Sequence, residues 1–184
     1  MATSPFGTHP LTVAMTSTNP HPACLEPDEL LGQCRQRRVR RSGPGGQRRN
    51  KVETGVVLVH QPTGVDAEAA ERRSVRENLG VALRRLRIEL ALRVRGGAGG
   101  DSPSRCWRSR LRNGRLFVST THDDFPALVA EALDRLADHD DDVVAAAGQL
   151  GCSTSQLVKL LKREPKVLAQ VNRRRRESGR HRLG

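Results

Sequence analysis

The spacing of apolar positions changes several times along the chain, and the changes delimit its elements. Residues 1–26 hold Ser, Thr, Pro and His with no period, which predicts a leader without fixed structure. Met15 is an alternative translation start within it. Glu26-Pro27-Asp28-Glu29 places acids around a proline ahead of Leu30 and Leu31, the composition of a first helical turn. Val56 to His60 is an unbroken, mostly β-branched run, Pro62-Thr63-Gly64 is turn chemistry, and Val65 to Ala70 reads as the second arm of a hairpin. Within the turn, Gly64 suits a position of positive φ. His60 at a strand end reads as a packing or hydrogen-bonding residue and is assigned no chemistry.

The period then lengthens to that of a helix. Ser74 is placed to cap a helix running to about Leu92, with Glu77 at the capping-box position. Val75, Leu79, Leu83, Leu86 and Leu90 form one apolar stripe, and Arg76, Arg84, Arg85 and Arg87 fall largely off it. Those arginines are either a solvated face or an RNA contact. Gly96 to Pro103 is a flexible linker by composition. Trp107 to Thr120 is basic and yields only a strand-like piece at Arg115–Ser119. Helical spacing resumes over 125–138, 142–150, 153–161 and about 165–177. Gly151 between two of these segments and Ser153 as a cap predict a helix-turn-helix, with Gln156 and Lys159 on its second helix. An αα-hairpin with no nucleic-acid role fits the same pattern. The acidic run Asp138 to Asp142 reads as a solvated turn.

The stretch with the most specific chemistry is Arg40-Arg41-Ser42-Gly43-Pro44-Gly45-Gly46-Gln47-Arg48-Arg49-Asn50-Lys51. Its glycines permit positive φ and close approach, while Pro44 opposes helix formation. What remains is a side-chain-poor loop presenting the amide of Gln47 between flanking arginines. It lacks the Lys-Ser/Thr of a Walker loop and the G-x-G-x-x-G of a dinucleotide site.

This loop, followed by Asn50-Lys51, His60-x-Pro62-Thr63-Gly64, Arg73-Ser74 and Asn78, resembles the catalytic domain of class I peptide chain release factors and their ribosome-rescue relatives. Their pattern reads S-G-x-G-G-Q-x-x-N-K, then H-x-P-T-G, then R-S-x-x-x-N, and the resemblance covers about residues 35–92. Val75 departs from the usual Gln, and Arg48-Arg49 from smaller or less charged residues. The resemblance implies a strand over Cys34 to Arg41 and an α+β fold. A small two-layer domain, with the hairpin sheet packed on the long helix, precedes a mainly helical segment. The expected divisions are a leader at 1–26, the release-factor-like domain at 27–95, a linker at 96–104, a helical domain at 105–171 and a basic tail at 172–184.

It also implies the activity, ribosome-dependent hydrolysis of the peptidyl-tRNA ester, with Gly45, Gly46 and Gln47 as the catalytic residues. Glutamine is no general base near neutral pH. It acts by orienting water and by electrostatic preorganisation. Arg40, Arg41, Arg48, Arg49, Asn50, Lys51, Arg72, Arg73 and Arg76 are the expected RNA-contacting residues of the domain. Arg173, Arg174, Arg175 and Arg176 are those of the tail, which in such relatives occupies an empty mRNA channel. The region ahead of the loop is short for a codon-recognition domain, which points to the codon-independent rescue branch. A nucleic-acid-binding adaptor acting through the helix-turn-helix is the alternative.

Composition fits a polyanionic partner: 184 residues carry a formal charge of +12, and no Lys or Arg precedes Arg35. The expected partners are large-subunit rRNA and P-site peptidyl-tRNA, bound by a monomer. Cys24, Cys34, Cys106 and Cys152 are scattered without metal-ligand spacing, so no metal and no cofactor are expected and the cytoplasm is the expected compartment. No apolar run reaches the roughly eighteen residues of a membrane span.

Overall fold

The structure is a computed structural model that describes residues 13–15, 20–40, 53–96 and 102–184, the first of these by backbone alone. Strand β1 (Val13–Met15) pairs in parallel with β5 (Val94–Gly96). A 3-10 turn at Pro22–Cys24 leads to helix α1 (Pro27–Gly32), where Pro27 opens the helix and Asp28 and Glu29 fill its first turn as the sequence predicts. Strands β2 (Cys34–Val39), β3 (Gly55–His60) and β4 (Asp66–Ala69) form an antiparallel sheet in the order β2-β3-β4. Helix α2 (Val75–Arg93) covers β3 and β4. On the helix-facing side, Val56 and Leu58 stand in register with Ala69 and Ala67, and all four are buried. β2 lies at the sheet edge and carries Arg35, Arg37 and Arg38 exposed.

Helix α3 (Arg105–Arg110) is followed by a tight hairpin, β6 (Leu111–Arg112) and β7 (Arg115–Leu116), turning on Asn113 and Gly114. Both turn residues have positive φ, 48° and 70°, the geometry an Asn-Gly pair favours. Four helices complete the chain: α4 (Phe125–Asp138), α5 (Val143–Gln149), α6 (Thr154–Lys162) and α7 (Pro165–Glu177).

Four expectations are corrected. The end of the leader is ordered: Ala23 and Leu25 belong to the core, and the His21 ring accepts the Ala23 N–H and lies 3.2 Å from the Val94 carbonyl. The apolar stripe of α2 is rotated: Ala82, Leu86, Leu90 and Ala91 are buried, whereas Val75, Leu79 and Leu83 are only partly covered. Arg87 is buried instead of solvated, its Nε donating to the Ala23 carbonyl. At the far end, residues 172–184 are not a loose tail. Helix α7 runs to Glu177, and the Asn172 amide then exchanges two hydrogen bonds with the backbone of Leu183.

One hydrophobic core runs across the expected boundary between the two halves, from Val56 through Leu86 to Leu128, Leu161 and Val171. Polar contacts cross it too. Arg95 pairs with Asp134, Lys166 with Glu89, and the Gln170 amide donates to the Leu92 carbonyl at 2.9 Å. Gly96, placed in the linker by composition, lies in β5, and Ser104 caps α3 by accepting the Trp107 N–H. The linker residues 97–101 lie outside the described residues.

Candidate functional site

Gly45, Gly46 and Gln47, with Arg41, Arg48, Arg49, Asn50 and Lys51, lie outside the described residues. The structure defines the platform they extend from. Strand β2 ends with Val39 opposite Gly55, the first residue of β3. A Cβ on Gly55 would stand 2.8 Å from both the Val39 carbonyl oxygen and its Cγ2, so the strand ends can meet this closely only at a glycine. One step outward, Arg40 Nε and Glu53 Oε1 are 2.9 Å apart with both side chains well exposed. Such a pair contributes about 1 kcal/mol or less, so it orients the two chain ends more than it stabilises the fold.

Asn78 fixes the same end of the sheet from the helix. It is fully buried, its Oδ1 accepts the Arg72 N–H at 2.9 Å, and its Nδ2 donates to the Thr54 and Arg72 carbonyls at 2.7 and 3.0 Å. The expected capping box at Ser74 does not form, since the Ser74 side chain caps nothing. The start of α2 is held by this buried amide instead. Asn78 was legible as part of a motif but not in this role.

The His60–Gly64 turn is also structural. His60 is 1% exposed, with Nδ1 2.7 Å from Thr63 Oγ1 and Nε2 3.0 Å from Gln33 Oε1. The arrangement satisfies every group if Thr63 donates to Nδ1, Nε2–H donates to Gln33, and Thr63 in turn accepts the Val65 N–H. Burial pushes the His60 pKa down and favours this neutral ring. Gly64 adopts φ of 69°, as the turn chemistry predicts.

Arg72, Arg73 and Arg76 are exposed, make no ion pair with a described residue, and lie beside the platform through the Arg72–Asn78–Thr54 bonds. Arg40 is exposed at the strand end as well, although it is paired with Glu53. Arg85 does not, because its guanidinium grips Glu71 and the Glu68 carbonyl. Arg84 donates to the Thr121 carbonyl. The exposed arginines of β2 extend the positive surface; the sequence displays them, but edge-strand geometry is needed to see that they face outward.

Far from the platform in sequence, the C-terminal arginines divide. Arg174 forms a two-pronged ion pair with Asp141, and Arg175 donates to the Asp141 and His181 carbonyls. Arg173 and Arg176 are exposed. The acidic run is therefore corrected from a solvated turn to a clasp: Asp141 is buried, and Asp142 caps α5 by accepting the Val144 and Ala145 N–H groups. The helix-turn-helix forms as α5 and α6 with Gly151 at φ 67° and Ser153 as the cap. Gln156, however, is turned inward, and its Oε1 accepts the Leu116 N–H. Among the described residues no His, Cys, Asp and Glu group is arranged to hold a metal, and no helix is long and apolar enough to cross a membrane.

Residues 32–100 match the RF-1 domain family. The chain is similar to peptide chain release factor 1 of Streptococcus thermophilus, with 46% identity over 50 residues, 27% of this chain and 14% of the relative. An uncharacterized peptide chain release factor-like mitochondrial protein of Saccharomyces cerevisiae is 41% identical over 64 residues, 34% of this chain and 41% of its own length. The chloroplastic peptide chain release factor PrfB1 of Arabidopsis thaliana is 37% identical over 82 residues, 41% of this chain and 18% of the relative. The chain thus spans less than half the length of each of these relatives. No solved structure matches it.

Proposed function

Since residues 32–100 carry an RF-1 domain of the class I release-factor kind, we propose that the protein hydrolyses the ester joining a nascent peptide to P-site tRNA. Water attacks the ester carbonyl carbon, the bond to the tRNA 3′ oxygen breaks, and the peptide leaves with a new carboxylate while the tRNA regains its hydroxyl. Gln47 orients the water, and its backbone N–H meets the negative charge that develops on the carbonyl oxygen. Gly45 and Gly46 let the backbone come close to the ester. The large ribosomal subunit supplies the rest of the site, and Arg40, Arg72, Arg73 and Arg76 meet its RNA.

The observation that carries this reading is the built platform. The Gly55 contact, the Arg40–Glu53 pair and the buried Asn78 amide together give residues 41–52 a fixed base among exposed arginines. We further propose that release proceeds without reading a codon, as in ribosome rescue, with a cytoplasmic site of action. The arginine tail supports that step less directly than its sequence suggests. Entry into an mRNA channel would require Arg174 and Arg175 to leave Asp141.

The test is release of labelled peptide from ribosomes programmed with truncated mRNA, beside ribosomes holding a stop codon in the A site. Equal or faster release on truncated mRNA is expected. Gln47→Ala should lose at least a hundredfold in rate and keep ribosome binding. Equal loss of binding and release would make the loop an anchor instead.

A further inference from the structure

We propose that the groove between residues 115–118 and helix α6 holds an unpaired nucleotide of single-stranded RNA, its base stacked on Phe117 and its phosphates met by Arg115 and Lys159. The choice of RNA over DNA rests on the function proposed above; the groove chemistry does not. The groove encloses about 490 Å³, within the range of roughly 300–1,000 Å³ typical of small-ligand sites.

Phe117 is 56% exposed, whereas Trp107 and Phe125 are at 0% and 2%. A single exposed apolar ring is ordinary on a protein surface. The backbone on either side of this one is not. The Leu116 N–H is bonded to Gln156 and the Val118 carbonyl accepts from the Arg163 guanidinium, so both flanks of Phe117 are tied to α6. The Phe117 N–H itself donates to the Arg110 carbonyl at 2.9 Å. The ring is thus presented on a rigid support beside α6.

The walls are cationic. Arg115 and Lys159 are exposed and make no ion pair with a described residue, Arg163 is held at the Val118 carbonyl, and no carboxylate lines the groove. A flat ring in a groove lined by uncompensated cations complements a flat, anionic ligand. Stacking on an aromatic side chain is the common device for binding single strands without reading their sequence. The Gln156 amide oxygen is already used within the fold, which is consistent with contact to a base face instead of a base edge. A duplex offers the ring no open base face.

The experiment measures fluorescence anisotropy of a labelled, unstructured RNA octamer and a hairpin duplex with the full chain across several salt concentrations. Phe117→Ala should weaken octamer binding about tenfold or more with the salt slope unchanged, and Phe117→Trp should retain it. Lys159→Ala should lower the slope by about 0.7, as for one phosphate contact on a single strand. Arg93→Ala, an equal charge loss elsewhere, should leave the effect of Phe117→Ala intact. The Gln47→Ala chain, silent in peptide release, should bind the octamer as well as the parent, so either reading can fail alone. Octamer affinity within twofold of the parent for Phe117→Ala overturns the proposal. If that variant also sediments less with ribosomes, the groove belongs to a protein contact instead.

Discussion

The Asn78 side chain donates to the Thr54 carbonyl at 2.7 Å and closes the end of the sheet where the strands part toward residues 41–52. Three hydrogen bonds converge on this fully buried amide, and removing it leaves two carbonyls and an N–H without their partner. Asn78→Ala should lower stability by about 3 kcal/mol, read as the shift in a urea midpoint. Asn78→Leu should do no better, because volume is not what is missing. Under the proposed function, peptide release should also fall in both variants even where the protein remains folded.

The Thr63–His60–Gln33 chain makes a second prediction. Thr63→Val keeps the shape and removes the hydroxyl that bonds to His60 and to the Val65 N–H, at a loss of about 1–2 kcal/mol. Burial holds the folded His60 below the ordinary value of 6.5, so the unfolded chain takes up a proton first on acidification. The stability from this group is present above that value and is lost as pH falls below it. His60→Gln should flatten that part of the pH dependence in denaturation curves collected between pH 7.5 and 5.

His21 and Asp134 meet at Gly96 with opposite pH effects. A Cβ on Gly96 would come within 3.1 Å of the Asp134 carboxylate and 3.3 Å of the His21 ring. Burial lowers the His21 pKa to about 4, so its contribution is lost as pH falls from 6.5 toward 4. Burial raises the Asp134 pKa to about 6 despite the Arg95 ion pair, so stability from this group grows as pH falls from 6 toward 3.8. Each shift is worth about 3 kcal/mol, and the two largely cancel in that window. Asp134→Asn should therefore make the protein acid-labile between pH 6 and 4.5. A parallel stability profile for Asp134→Asn and the parent would refute the pairing.

Asp140 and Asp141 follow α4 in the left-handed region, with φ of 50° and 60°. Asp140 is exposed, so Asp140→Gly should raise stability by up to about 1 kcal/mol by relieving the backbone. Asp141 is buried against Arg174, and Asp141→Gly should destabilise the fold despite the same relief. Thermal unfolding of the two variants at pH 7 should shift in opposite directions.

The elements with strong local signals were readable from residue order: the Val56–His60 strand, the turn at Gly64, and the four C-terminal helices. The hairpin at Asn113-Gly114 also carried a strong signal, yet its arms are two residues each and offer no alternation to recognise. What could not be read was which polar residues are buried. Arg87, Asn78 and Asp141 look like surface residues in the chain and acquire their roles from partners distant in sequence, at Ala23, Thr54 and Arg174. The stripe on α2 was misplaced for the same reason, because residues on either side of the helix, not its own period, decide which face is covered. For residues 41–52, the motif singles out Gly45, Gly46 and Gln47 in the sequence, and the structure describes the strand ends on either side of them.

The shared core has a consequence for how the protein can be divided. The segment that matches other proteins ends at residue 100, but α2 within it packs on α4, and Arg87 and Val94 are bonded to residues 21–23. The matched segment is therefore not the cooperative unit. Denaturation should follow one transition in which the sheet and the C-terminal helices melt together. A polypeptide cut at residue 101 would lose the α4 cover of α2, expose apolar surface to water and be expected to aggregate instead of folding by itself.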